Sequence, residues 1–107
     1  MNYKRKRGHS MNTFTIDGKI YSIRLTNHAE LRTKQRKIDM YMVTSAILAL
    51  GKTRIEQYQN SDRDILIQDL TNNFAVVITI EGNTIYVITC IDHCDCWSKT
   101  GTTVVNL

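Results

Sequence analysis

The chain of 107 residues has no proline, so no cis-prolyl turn and no polyproline segment can enter its structure. Its five glycines, Gly8, Gly18, Gly51, Gly82 and Gly101, stand alone. Isolated glycines exclude the glycine-rich loops that cradle nucleotide phosphates. The three cysteines are odd in number and crowded at Cys90, Cys94 and Cys96, which argues against a disulfide framework. No apolar run approaches the ~20 residues of a membrane helix. The cations at the N-terminus are not followed by an apolar stretch, so they do not read as a secretory leader. Neither a paired-carboxylate pattern nor a Gly-x-Ser-x-Gly elbow is present. These absences lead to the expectation of a cytoplasmic chain with no membrane partner and no cofactor.

What remains is ordinary globular material, 42% hydrophobic and 22% charged, enough for one small domain. The charge is uneven. Lys4, Arg5, Lys6 and Arg7 are consecutive, and all ten acidic residues come after residue 10. Beyond the arm, ten Lys and Arg balance ten Asp and Glu, so the net charge of +4 belongs to the arm. A cationic arm attracts phosphates through counterion release. Residues 1–11 therefore read as a disordered basic tail and 12–107 as a single α+β domain.

The periodicity supports that division. Asp17-Gly18 between β-prone runs predicts a hairpin over Thr13 to Leu25. Thr26 or Asn27 can cap a helix running to about Lys37, with Glu30 completing a capping box. Leu31, Gln35 and Ile38 are expected to face the body. Asp39 then opens a second helix whose stripe is Met40, Val43, Ile47 and Leu50, stopping at Gly51. Period-two runs follow at Arg54 to Tyr58, Asp64 to Leu70, Phe74 to Ile80 and Thr84 to Ile91, separated by Asn- and Gly-containing turns. Short loops make such neighbours antiparallel. Thr102 to Val105 is a candidate edge strand. The expected architecture is α+β, with two helices from the N-terminal half packed on a four- to five-stranded antiparallel sheet.

The first helix carries the candidate chemistry. His28, Arg32 and Arg36, spaced i, i+4, i+8, form one slanting row. A helix N-terminus and two guanidinium groups disfavour imidazolium at His28, leaving the neutral ring that a general base requires. Two arginines on that row can hold a phosphate between them. These are the parts of metal-independent RNA cleavage, in which a ribose 2′-hydroxyl gives up its proton and attacks the adjacent phosphate in line.

The stretch His28-Ala29-x-x-Arg32-x-x-x-Arg36-x-Ile38 resembles the opening of a small uncharacterised family of bacterial and phage domains. That family is grouped with the barnase–EndoU–colicin–RelE-like ribonuclease fold. The resemblance covers roughly residues 20 to 91 by pattern, and only the helix motif is specific. It implies a RelE/barnase-like fold, a catalytic role for His28 and phosphate contact for Arg32. This chain has Lys37 where the family usually has Gly, so a different turn between the helices is expected. On this reading the chain is a toxin-like or phage-encoded endoribonuclease. His28, Arg32 and His93 form its catalytic set, with His93 as the second acid/base group if the last strand returns beside the first helix. Arg36 and the arm, Lys4, Arg5, Lys6 and Arg7, contact RNA. An antitoxin or a host protein is a candidate partner. The alternative is a non-catalytic phage or bacterial interaction protein that binds a host protein or a nucleotide ligand.

Cys90, His93, Cys94 and Cys96 are four potential zinc ligands within seven residues. Their spacing leaves no second knuckle, and Cys90 falls in a predicted strand, so no metal site is assigned. Trp97 and Tyr58 are candidates for stacking on bases, although Trp97 reads better as a cap over the end of the sheet.

Overall fold

A computed structural model describes residues 11–59, 63–92 and 102–107. Asp17 and Gly18 both take positive φ, 49° and 81°, the twist that a two-residue hairpin needs. They join strand β1 (Met11–Ile16) to β2 (Lys19–Leu25), with the Phe14 and Tyr21 rings stacked at 5.5 Å. Met11 therefore belongs to the sheet and not to the arm. The arm residues Lys4, Arg5, Lys6 and Arg7 lie outside the described residues.

Thr26 ends β2 and caps α1 (Asn27–Arg36), its hydroxyl accepting from the Ala29 N–H at 3.1 Å. The same hydroxyl donates to the Ile88 carbonyl at 3.0 Å, and the Thr26 N–H donates to the Val87 carbonyl at 3.0 Å. One residue thus caps the helix and fastens it to the sheet. That anchor sets the rotation of α1. Ala29 and Thr33, small and four apart, are buried and let the helix lie close. Leu31 and Gln35, expected to face the body, point to solvent instead, while Ile38 is buried as expected. Lys37 closes α1 in the left-handed conformation, φ 53°, ψ 41°. A lysine here adopts the left-handed geometry that glycine usually supplies at a helix end.

Asp39 caps α2 (Met40–Tyr58), its carboxylate accepting from the Tyr41 N–H at 2.9 Å. Val43, Ile47 and Leu50 are buried with Ala46, and Met40 packs at their margin. Gly51 breaks the helix with φ 81°, ψ 164°, after which it resumes to Tyr58. The strand expected over Arg54 to Tyr58 is therefore helix. Over five residues, period two and helical spacing cannot be separated. Burial of Ile55 decides it, with Lys52 pairing Asp17 at 3.0 Å and Lys19 pairing Glu56 at 2.9 Å to pin this half of α2 to the hairpin.

Strands β3 (Ile65–Asp69), β4 (Phe74–Glu81) and β5 (Thr84–Ile91) form an antiparallel meander, and β6 (Thr103–Asn106) is the last element. The sheet is six-stranded and mixed, in the order β1-β2-β5-β4-β3-β6. This corrects the expected four- to five-stranded antiparallel sheet. Two helices intervene before the meander, so β2 meets β5 in parallel, and β6 returns in parallel beside β3. Both helices pack on one face, over Tyr21, Ile23, Leu25, Ile65, Ile67, Phe74, Val76, Ile78, Ile85 and Val87. The architecture is α+β as expected. No helix among the described residues is long and apolar enough to cross a membrane.

A bulge lies in β5. Val77 faces Thr89 and Ile78 faces Val87, so Ile88 is the extra residue. It switches the phase of the strand, so that Ile85 and Val87 before it and Cys90 after it all enter the core. It also turns the Ile88 carbonyl to Thr26.

Candidate functional site

Pairing between β2 and β5 ends at Leu25 and Val87, yet β5 continues to Ile91. Helix α1 runs along the stretch of β5 that β2 leaves open. An open strand edge carries unpaired carbonyls that need donors. Thr26 supplies one to Ile88, and the Arg36 guanidinium supplies another to the Cys90 carbonyl at 2.8 Å. Arg36 and Arg32 are both half-buried, and it is this bond to the strand that draws Arg36 away from the row it shares with His28 and Arg32 in sequence.

His28 is exposed in the first turn of α1. Arg32 donates from Nε to His28 Nε2 at 3.4 Å and from Nη1 to Gln35 Oε1 at 3.0 Å. A neutral imidazole with its hydrogen on Nδ1 is the form that accepts such a contact. The structure thus brings together His28 and Arg32 and adds Gln35, which orients the guanidinium. Sequence reasoning had turned Gln35 inward; its i, i+3 spacing from Arg32 was the available signal. Lys34 pairs with Glu30 at 3.6 Å and stands apart from this group.

β5 does run beside α1, which was the condition set for His93 to join the site. His93 itself lies outside the described residues, as do Cys94, Cys96 and Trp97. Cys90 is fully buried in the core, and burial pushes its thiol up to about 12, opposed by the nearby Arg36 charge. It is a packing residue and offers no lone pair at the surface. Among the described residues no group of three or more His, Cys, Asp or Glu side chains converges as a metal site would require. Tyr58 packs against the core margin, so its ring is not a free stacking platform.

No family model, no curated protein and no solved structure matches this chain.

The arrangement can bind an anion and move a proton. Arg32 presents a fixed fork of N–H groups at the surface. His28 Nε2 lies against that same fork. A phosphate arriving at Arg32 competes for the Nε donor and frees the Nε2 lone pair beside it.

Proposed function

We propose that this chain is an endoribonuclease of the barnase–RelE-like kind, toxin-like or phage-encoded, cleaving RNA without a metal. Arg32, held by Gln35, takes the phosphate. His28 Nε2, released from Arg32, accepts the proton of the 2′-hydroxyl, which attacks the adjacent phosphorus in line. The guanidinium stabilises the charge that grows on the phosphoryl oxygens. The 5′-oxygen leaves with a proton from a second group, for which His93 is the candidate. The product is a 2′,3′-cyclic phosphate. Lys4, Arg5, Lys6 and Arg7 add salt-sensitive attraction to RNA. The single observation carrying this reading is the contact between His28 Nε2 and Arg32 Nε on an exposed helix face. The resemblance of the His28 to Ile38 motif to a ribonuclease-fold family adds to it.

The test is incubation of the purified chain with RNA in excess EDTA. Cleavage leaving 2′,3′-cyclic ends, abolished by His28→Ala, is the expected result. Intact RNA at micromolar protein removes the proposal.

The second reading, a non-catalytic protein that binds a host protein, is favoured by one observation. Leu31 and Tyr41, 52% and 76% exposed, place apolar surface on the same two helices. Retention of a partner by the His28→Ala variant, with RNA untouched by the native chain, selects it.

A further inference from the structure

The sheet has two edges, β1 and β6, and they are not alike. Natural sheets guard an edge with charge, proline, a bulge or brevity. β6 has the last of these, with four residues. β1 runs for six, Met11–Ile16, and none of them is charged. The chain has no proline, and β1 meets β2 residue for residue from Met11 to Ile16. Among the described residues no strand pairs with its outer side.

The register says which groups that outer side presents. Ile16 and Lys19 flank the two-residue turn and so exchange hydrogen bonds, as do Phe14 and Tyr21 by alternation. Thr13 and Thr15 are the intervening positions and turn their N–H and C=O groups outward. Ser22, opposite Thr13, agrees with this phase: its N–H points away from β1 and donates to the Asn83 carbonyl at 2.9 Å. The Thr13 and Thr15 side chains are exposed. Phe14 and Ile16, on the core face, are only half-buried.

We infer that the outer edge of β1 pairs antiparallel with β1 of a second copy of this chain, joining two six-stranded sheets across a two-fold axis at Phe14. Thr13 of each copy faces Thr15 of the other, and each such pair exchanges both of its N–H···O bonds. The Phe14 side chains meet at a non-hydrogen-bonded position, where cross-strand neighbours are closest and an aromatic pair is favourable. The occupant is a second copy because the edge complements itself: threonine meets threonine, phenylalanine meets phenylalanine, and no like charges are opposed. Charge also fixes the direction. Antiparallel pairing holds the two Met11 ends ~20 Å apart, about twice the screening length at physiological salt. The cations Lys4, Arg5, Lys6 and Arg7, which precede Met11 in sequence, then belong to opposite ends of the pair. Parallel pairing sets them side by side. One strand pair is a small interface, below the ~1,200 Å² of stable complexes, so the dimer dissociates in the micromolar range. The inference stands apart from the ribonuclease reading, since β1 includes neither His28 nor Arg32.

Sedimentation velocity of the full chain over a range of micromolar concentrations is the test, and a concentration-dependent dimer is the expected result. Thr15→Pro removes one outward donor per copy and spares the β1–β2 ladder, so it should weaken the dimer ~10-fold or more with unchanged circular dichroism. Val104→Lys, on β6, should leave the dimer intact. Cross-linking gives a readout that does not depend on the proline variant folding. In a Cys94→Ser, Cys96→Ser background, Thr13→Cys mixed with Thr15→Cys is expected to give a disulfide-linked dimer on mild oxidation, because hydrogen-bonded pairs lie within disulfide reach. Neither variant alone should do so. A chain that stays monomeric at hundreds of micromolar overturns the inference. So does a dimer lost in Val104→Lys and kept in Thr15→Pro, or cross-linking of the separate variants without the mixed one.

Discussion

Lys37 holds a left-handed backbone that an L side chain disfavours by about 1–2 kcal/mol. Lys37→Gly relieves that strain, partly offset by the added freedom of the unfolded chain. We expect a net gain of about 0.5–1 kcal/mol, read as a higher urea midpoint at unchanged slope. Cys90 offers a different check. Its thiol, ordinarily near 9.0, is raised to about 12 by burial. A folded value above the unfolded one means full stability below about 9 and progressive loss as pH rises toward about 12. The loss is on the order of one kcal/mol per pH unit, and it should vanish in Cys90→Ala when the two chains are compared across that window. The left-handed turn at Lys37 was not legible, because lysine gives no positive-φ signal. The neutral, inward Cys90 was legible from its place in a Val/Ile-Thr strand.

At the scale of elements, caps and turns were read well because each rests on local chemistry: Asp17-Gly18, Thr26 and Asp39 all act as their types predict. Rotation of α1 was not, since it depends on two carbonyls of a strand sixty residues away. Nor was the second half of α2, where five residues fit either period. Gly51 is the clearest test there. Its φ 81°, ψ 164° lies in a region open to glycine alone, and an added Cβ would meet nothing within 4 Å. Gly51→Ala is therefore a pure backbone substitution. We expect it to cost about 1–3 kcal/mol, seen as a lower thermal midpoint with no loss of solubility.

For the whole molecule, the two arginines of the motif separate by role. Arg36 spends a donor on the Cys90 carbonyl across α1 and β5, whereas among the described residues Arg32 hydrogen-bonds side chains of its own helix. Arg36→Gln should lower stability by about 1–3 kcal/mol, the worth of a half-buried hydrogen bond from a charged group. Arg32→Gln should leave the unfolding midpoint in place and weaken RNA binding, measured by filter retention at fixed salt. The row of one imidazole and two guanidinium groups was visible in the sequence, but its division between surface and sheet edge was not. That division follows from where β2 stops.

The parallel pairing of β2 with β5 joins Ser22 to Thr84 and Leu25 to Val87, partners sixty-two residues apart. On a growing nascent chain, the first hairpin leaves the ribosome long before its neighbour is made. Ile23 and Leu25, which end fully or almost fully buried, wait beside an unfilled edge until most of the message has been translated. Loop closure over that distance is slow, and an interrupted polypeptide lacking β5 is left with a sticky, unpaired ribbon prone to aggregate.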